Sequence, residues 1–420
     1  MPIFTKHLLI ASTVALLSGA ISRAETAEQL AAEAVRNNPE LRSFEHGIAA
    51  AKGTVKTAAT IRNPELNTQA GYKNSRDNSG GASGDGPTWA INFSQTFEYP
   101  GRIALRKAIA NHDVDLAELQ LQQFRLTLAA RVRTLVYAIA ATRNRSTSAH
   151  EAANRFRTLS SVLEQRPAAG VTPQLEARLI SSNATVFRRQ EQETLLSEKT
   201  MTAEVNQLCG RAPERPVRIS TASVVFAKPS LANLLPAARA NAFEIRIRQV
   251  ELAQQGFKVA LSKNERYPAI AVGPFYSVEK AADTEHQAGL GVSLPLPLWD
   301  RNSGNIATNK AREEQARAAL ETTAREVERR VTQNVEIFAA KRDEIDKLDR
   351  NELAKLRDAA ELADRNYQLG AVPVTIYVET QKQYLELVSA VSDLQKDALQ
   401  AAQELEILTG IRLYRSAEKP

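Results

Sequence analysis

The sequence predicts a mainly α-helical fold with a small β part, in which long antiparallel coiled-coil helices accompany four short strands. Two observations predict it. Apolar residues recur three and four positions apart through two very long segments, which is typical of coiled coils. Two pairs of short segments instead alternate between apolar and polar residues, which is typical of β-hairpins with two different faces.

The sequence also repeats itself at a spacing of about 200 residues, which indicates two copies of one structural unit. Matching anchors occur in the same order in both halves: Leu208-Cys209-Gly210 with Leu408-Thr409-Gly410, Gly170-Val171-Thr172-Pro173 with Gly370-Ala371-Val372-Pro373, and Pro64 with Pro268. We therefore divide the chain into a first repeat at 25–210, a proline-rich equatorial linker at 211–230, a second repeat at 231–410 and a C-terminal tail at 411–420.

Each repeat follows the same order of elements. A first helix, a β-hairpin and a long helical hairpin are expected at about 27–61, 65–99 and 104–209 in the first repeat, and at about 231–263, 268–296 and 307–409 in the second. The tips of the helical hairpins fall near 166–173 and 366–373, where a glycine is followed by a proline. Because about sixty helical residues rise ~90 Å, the length itself favours a coiled coil.

The two faces of the predicted hairpins differ in polarity. On the second strand, Trp89, Ile91, Phe93 and Phe97 lie on one side, and Asn92, Ser94 and Thr96 on the other. One side suits lipid and the other water. Four strands cannot close a barrel, and unpaired edges do not persist in hydrocarbon, so a membrane location requires several copies to pool their strands. The alternatives are strands packed on a soluble core, and a plain helical bundle, which leaves the strands unexplained.

The N-terminus has the pattern of a secretory signal peptide. Lys6 precedes an apolar run, and Ser22-Arg23-Ala24 supplies small residues, so removal of 1–24 before Glu25 is expected. The run is shorter than the ~20 residues of a spanning helix, which disfavours an N-terminal membrane anchor, and no later segment predicts a spanning helix. Cys209, the only cysteine, is far from the cleavage site, so we expect no N-terminal lipid.

Composition and charge argue against several classes of function. The formal net charge is +6, and the basic residues are dispersed among acidic ones, which is typical of solvated helices rather than of a nucleic-acid interface. One cysteine and five histidines without metal-ligand spacing cannot build a closed metal site. The sequence contains no convergent set of polar residues that suggests catalysis. We therefore expect no enzyme activity, no cofactor, no bound metal and no nucleic-acid partner.

Several motifs resemble those of the TolC-type outer membrane factors. Asn38-Pro39-Glu40-Leu41 is similar to the family's N-P-x-L segment, and Asn63-Pro64-Glu65-Leu66 to its approach to the first strand. Residues 294–306 resemble the exit from the last strand, and Tyr367-Gln368-Leu369-Gly370 resembles the second helical turn. Trp299-Asp300-Arg301-Asn302, with Tyr99-Pro100-Gly101-Arg102 at the matching place, is most similar to the cobalt–zinc–cadmium branch, which serves heavy-metal efflux pumps.

The resemblance implies a homotrimer in the outer membrane of a Gram-negative bacterium. Four strands per chain would join a twelve-stranded transmembrane β-barrel, and the long helices would form a periplasmic α-barrel. The implied function is a passive exit duct for divalent heavy-metal cations. Its implied partners are outer-membrane lipid, a periplasmic adaptor and an inner-membrane, proton-driven exchanger of the RND type. The alternatives are a duct for drugs or other organic solutes, a duct for type I secretion, and a secreted coiled-coil scaffold.

Two groups of candidate functional residues accompany the resemblance. The hairpin tips are expected to contact the adaptor through Gly170, Val171, Thr172 and Pro173, and through Gly370, Ala371, Val372 and Pro373. Polar residues one or two helical turns before the second tip are candidates for a gate that closes the tube, because charged side chains at a constriction can hold helices together. These candidates are Asp358, Asp364, Arg365 and Gln368.

Overall fold

The computed structural model describes residues 24–76, 78–164, 171–220, 223–281, 283–348 and 350–417. The predicted signal peptide lies outside these residues except for Ala24, and so does Gly170 of the first predicted tip. Residues 171–173 begin a helix.

The fold is mainly α-helical with a small β part, as the sequence predicts. The helices are α1 (Ala27–Asn37), α2 (Glu40–Ala58), α3 (Arg102–Glu164), α4 (Val171–Leu208), α5 (Leu231–Asn241), α6 (Phe243–Asn264), α7 (Ser303–Lys347), α8 (Arg350–Gln368) and α9 (Val374–Thr409). The strands are β1 (Glu65–Arg76), β2 (Ala82–Phe97), β3 (Ser223–Phe226), β4 (Ile270–Lys280), β5 (Thr284–Ser293) and β6 (Tyr414–Ala417). With 63 residues, α3 alone is about 95 Å long.

The two β-hairpins join into one antiparallel sheet of order β1-β2-β4-β5. The middle contact pairs β2 with β4, so that Phe97 lies opposite Ile270 and Ile91 opposite Tyr276. Below the sheet, α2, α3, α6 and α7 pack side by side in that sequence. Since α2 leads into β1 and β5 leads into α7, the helices and the strands share the same two outer edges.

A second, smaller sheet lies in the middle layer of the molecule. Strand β3, from the linker between the repeats, pairs with β6 from the C-terminal tail. Glu25 forms a parallel bridge with Ile219, and Arg412 Nη1 donates to Glu28 Oε1 at 2.7 Å. The beginning and the end of the described chain therefore meet in this layer.

Both predicted first helices are broken near their first third, and both breaks are fixed by an asparagine. Pro39 disfavours helical backbone at the residue before it, and Asn38 is extended (φ −61°, ψ 125°). The Asn38 Nδ2 donates to the Leu208 carbonyl at 3.0 Å. In the second repeat Asn241 Nδ2 donates to the Thr409 carbonyl at 2.9 Å. Each repeat thus ties its first helix to the end of its last one.

The predicted helix at 307–368 is also interrupted, because α7 ends at Lys347 and α8 begins at Arg350. Leu348 is extended, with φ −64° and ψ 97°. The sequence around the break contains neither proline nor glycine, so local propensity does not explain it. The packing neighbours do change there, since α7 packs against α5, α6 and α9, whereas α8 packs mainly against α9.

A buried core fills the middle layer, where both repeats meet the small sheet. Its fully buried members include Leu30, Val132, Ile139, Phe338 and Leu405. Matching ion pairs lie beside it in the two repeats, since Arg131 binds Glu204 at 2.5 Å and Arg330 binds Glu404.

Cys209 lies in this core and is 1% exposed. Burial raises the pKa of its thiol to about 11, so the reactive thiolate is scarce near neutral pH. A maleimide should therefore leave the folded protein unlabelled and react fully after unfolding, as mass spectrometry would record. Ser197→Cys in a Cys209→Ala background places a thiol at an exposed position of α4, the helix that ends just before residue 209, and this thiol should react at once. Equal labelling of both folded proteins would contradict the burial of Cys209.

Candidate functional site

The four-stranded sheet exposes a continuous apolar face. Directly paired residues of antiparallel strands point to the same side of a sheet. The register therefore places large apolar side chains from all four strands on one side. They are Leu66, Tyr72, Trp89, Ile91, Phe93, Phe97, Ile270, Tyr276, Leu290 and Val292. Leu66, Leu290 and Val292 are 65, 76 and 70% exposed. A face of this kind would be buried in a sheet that packs on a soluble core. Here it is left uncovered.

The opposite face of the sheet is polar and carries a small excess of negative charge. It collects amides, hydroxyls and glycines together with Phe275, and its charged residues are Glu65, Lys73, Glu279 and Glu285. Lys73 Nζ lies 2.7 Å from Glu279 Oε2 and is also attracted by Glu285, so that one cation faces three carboxylates on this face of the described strands. Gly273 lets the strands approach closely, since a Cβ there would lie 1.6 Å from the Phe93 carbonyl oxygen.

The second helical turn has the geometry of a Schellman motif. Gly370 has φ +72°, its N–H donates to the Tyr367 carbonyl at 2.9 Å, and the Ala371 N–H donates to the Asn366 carbonyl at 2.8 Å. Pro373 then caps α9 in extended conformation. A Cβ on Gly370 would meet no atom within 4 Å, so the glycine is needed for its left-handed backbone and not for space.

A groove of about 700 Å³ opens beside this turn, between the two helical hairpins. One wall comes from α3 and α4, and the other from the turn itself. The lining residues include Leu159, Val162, Leu163, Glu176, Tyr367, Gln368 and residues 370–374. Leu369, beside the groove, is 80% exposed. The groove therefore offers a partly apolar surface at the end of the helices that is farthest from the sheet.

Four aromatic rings in successive contact, one from each helix of this region, lie behind the groove. We call Phe187, Phe156, Tyr377 and Tyr367 the tip ladder. Their successive ring centroids are 4.7, 5.0 and 5.1 Å apart. The Phe156–Tyr377 step joins the hairpin of α3 and α4 to that of α8 and α9. The ladder belongs to a buried cluster separate from the core of the middle layer.

The four gate candidates lie on α8, on two adjacent stripes of that helix. Asp364 Oδ2 accepts from Gln368 Nε2 at 3.2 Å, whereas Asp358 and Arg365 are exposed. Asp364 Oδ1 and the Tyr377 hydroxyl are both buried, and the hydroxyl lies beside the Asp364 carboxylate without a hydrogen bond of good geometry. Burial, together with the Asp364 carboxylate, raises the pKa of Tyr377 far above its usual value, so that its hydroxyl stays protonated.

None of the described helices combines the length and the apolar composition needed to cross a membrane. In the same part of the chain, no three side chains among His, Cys, Asp and Glu are placed to hold a metal ion.

The two halves of the chain match one family profile separately. The profile of the outer membrane efflux protein family matches residues 30–208 and again residues 234–411. The chain belongs to the outer membrane efflux protein family. Members of this family are channel components, so the protein is not an enzyme.

Solved outer-membrane structures share their fold with more than nine tenths of the chain. The outer membrane protein VceC from Vibrio cholerae has a TM-score of 0.68 at 19% identity, covering 92% of this chain and 96% of VceC. The CmeC outer membrane channel from Campylobacter jejuni has a TM-score of 0.72 at 13% identity, covering 91% of this chain and 85% of CmeC. The open MtrE outer membrane channel from Neisseria gonorrhoeae has a TM-score of 0.68 at 14% identity, covering 94% of this chain and 91% of MtrE. Identities this low establish a shared fold. No curated protein sequence matches significantly.

Sequence reasoning singled out the turn of this outer membrane efflux protein but missed the tip ladder. The structure brings Gly370, Ala371, Val372 and Pro373 together with Gln368 at the groove. Gly170 lies outside the described residues, and only the backbone of 171–173 is described. The rings of the ladder come from four helices in both repeats, so no local pattern connects them.

Proposed function

We propose that the protein is one subunit of a homotrimeric duct that carries divalent heavy-metal cations out of the cell as the outer-membrane part of a tripartite efflux system. The uncovered apolar face of the four-stranded sheet carries this proposal, because lipid is the environment that such a face suits. Both edge strands lack a partner within the described chain, and such edges must be paired in hydrocarbon. Three copies supply twelve strands, enough to enclose water.

The shared edges of strands and helices support closure into a ring. A neighbouring copy whose β1 pairs with β5 also brings its α2 against α7. These two helices carry small residues on open surfaces, since no atom lies within 4 Å of a Cβ built on Gly47, Gly53 or Gly304. Such a contact joins different surfaces of identical chains, and a head-to-tail contact of this kind generates a closed ring when the rotation permits.

The polar face supports a preference for cations. In a closed barrel this face would line the water-filled interior, where Glu65, Glu279 and Glu285 outweigh Lys73. Fixed carboxylates along a narrow aqueous path raise the local concentration of cations. The proposal of metal cations rests on this charge together with the resemblance of residues 299–302 to the cobalt–zinc–cadmium branch.

Deletion of the gene should lower tolerance to zinc, cobalt or cadmium, as growth on graded metal concentrations would measure. Complementation with Glu279→Gln/Glu285→Gln should restore tolerance only in part, and the wild-type gene in full. Heat-resistant trimers in the outer-membrane fraction are expected in both complemented strains. A strain sensitive to organic toxicants but not to metals would favour the alternative, a duct for drugs and other organic solutes.

We propose that the groove beside Gly370 receives the helical tip of a periplasmic adaptor, which connects the duct to an inner-membrane, proton-driven exchanger. Candidate contacts are Gly170, Val171, Thr172 and Pro173 on the first tip, and Gly370, Ala371, Val372 and Pro373 on the second. Asp358, Asp364, Arg365 and Gln368 on α8 remain candidates for the closing gate, which the adaptor would release by binding the open state more tightly.

Gly370→Val should weaken adaptor capture by at least about tenfold, because a β-branched residue is strained at φ > 0 and the turn must change its path. Co-purification of adaptor with the duct measures this effect, and the melting temperature of the trimer should fall little. Gly256→Val provides the control, since that glycine of α6 is far from the groove, has ordinary φ, and a Cβ built on it meets only a side-chain oxygen at 3.7 Å. Equal loss of capture and trimer stability would mean that Gly370 is needed only for the fold.

A further inference from the structure

The connector from β5 to α7 differs from its counterpart in the first repeat. Residues 98–101 join β2 to α3, whereas the longer stretch 294–302 joins β5 to α7. The short connector is held by contacts of its own, since Glu98 binds Arg106 at 2.6 Å.

The long connector is instead apolar and uncovered. Leu294, Leu296, Leu298 and Trp299 are 44, 65, 64 and 94% exposed. Side chains of this size are normally buried unless they belong to an interaction surface. The connector therefore presents a surface that its own chain does not cover.

The connector prolongs the apolar face of the sheet. Leu294 follows Val292 at the two-residue period of that face. Because Ala271 pairs with Ser293, Leu294 lies level with Ile270. Leu296 and Leu298 continue the same period.

The backbone of the connector also suits a non-aqueous environment. Pro295 and Pro297 have no N–H group, and the Leu298 N–H donates to the Leu296 carbonyl at 2.9 Å. Few backbone donors are therefore left to be satisfied, and unsatisfied donors are what hydrocarbon penalises most.

The apolar face of the sheet has about the height of a membrane's apolar band. On β2 the face runs from Pro87, the partner of Tyr72, to Phe97, over which the strand rises about 33 Å. At the usual barrel tilt of about 40° this covers about 25 Å along the membrane normal, about the height of the apolar band of an outer-membrane barrel. Since Leu294 lies level with Ile270, the partner of Phe97, the connector begins at the edge of that band, where acyl chains meet headgroups.

We infer that residues 294–299, the anchor segment, bind the phospholipid leaflet on the helix side of the sheet. The leucines enter the acyl chains, and Trp299 lies among the headgroups, where tryptophan is favoured. This inference rests on the proposed membrane-spanning sheet. A neighbouring copy does not compete for this surface, because it pairs with the backbone edge of β5 and leaves the apolar face free.

The two tryptophans of the chain allow each end of the apolar face to be tested separately. Trp89→Phe leaves Trp299 as the sole reporter, and Trp299→Phe leaves Trp89. Each trimer is reconstituted into phosphatidylethanolamine–phosphatidylglycerol vesicles whose acyl chains carry bromine near the carbonyl end or near the methyl end. We expect Trp299 to lose about half of its emission with bromine near the carbonyl end, and much less with bromine near the methyl end.

Each outcome decides between specific claims. Unchanged Trp299 emission while Trp89 is quenched would refute the anchor segment and leave the membrane-spanning sheet standing. Unchanged emission from both would refute the proposed function as well. Blue-shifted Trp299 emission without quenching would mean that another protein surface covers the segment, and would also overturn the inference.

A second pair of variants tests the leucines. Leu298→Asn should shift Trp299 emission to longer wavelength and roughly halve its quenching, because the segment leaves the acyl region. Leu362→Asn, at a 57% exposed position of α8, should change neither. Identical Trp299 spectra for Leu298→Asn and the unsubstituted segment would contradict insertion of the leucines.

Discussion

Replacing Glu406 by alanine should lower the free energy of unfolding by about 3–5 kcal/mol, because it leaves a buried charge without its main partner. The Glu406 side chain is 5% exposed, and its carboxylate accepts from Arg133 Nη1 at 2.9 Å and from the Tyr414 hydroxyl at 3.0 Å. Burial alone would lower the pKa of Arg133, but Glu406 and Tyr414 outweigh it and raise that pKa. Because an arginine side chain keeps its proton in proteins, the guanidinium stays charged when Glu406 is removed.

Denaturant unfolding of the purified protein measures this loss, and Glu204→Ala is the matched control. Glu204 pairs with Arg131, whose side chain is 61% exposed. Glu204→Ala should therefore lower the free energy of unfolding by less than about 1 kcal/mol. Arg133→Met/Glu406→Leu should recover most of the stability, because an apolar pair of similar volume often replaces a buried ion pair without loss. Similar destabilisation by Glu406→Ala and Glu204→Ala would show that Arg133 finds another partner or water.

Tyr377→Ala should loosen the far end of the helical hairpins without unfolding the rest of the molecule. Tyr377 is 0% exposed and forms the two central steps of the tip ladder, to Phe156 and to Tyr367. Removing a buried aromatic ring costs about 3–5 kcal/mol. Because the ladder lies in a cluster separate from the middle layer, the loss should be local.

Hydrogen–deuterium exchange resolves where the effect falls. Exchange should accelerate by at least about a hundredfold in the facing ends of α8 and α9, as a loss of roughly 3 kcal/mol implies, and stay unchanged in α1 and α5. Tyr377→Phe is the control, since it keeps the ring and removes only the hydroxyl beside Asp364, which should cost at most about 1 kcal/mol. If Tyr377→Phe accelerated exchange as strongly as Tyr377→Ala, the hydroxyl and not the ring would hold the hairpins together.

The sequence predicts those parts of the fold whose signals are local. Alternation in Trp89, Ile91 and Phe93 correctly indicates a strand with two faces, and the glycine–proline pair at 370 and 373 indicates the turn. The polar stretch at 78–87 suggests a loop, yet β2 begins at Ala82 and pairs Asp85 with Asn74. Ladder hydrogen bonds form between backbones, so polarity alone does not mark where a strand ends.

Contacts between distant segments are the part that sequence reasoning could not supply. Arg133 and Glu406 belong to different repeats, and nothing near either residue identifies the other. The break between α7 and α8 likewise follows from a change of packing neighbours. Of the candidate site, the turn and Gln368 could be predicted, whereas the groove depends on how the first hairpin lies beside the second.

Both ends of the described chain lie in the middle layer, where Arg412 contacts Glu28 and β6 pairs with β3. A linker from Ala417 of one copy to Ala24 of the next would begin and finish at this one height, away from the sheet and from the helical turns. Tandem-fused subunits are therefore a practical construction. They would place a substitution in one, two or all subunits of an assembly, and so count how many intact turns an adaptor requires.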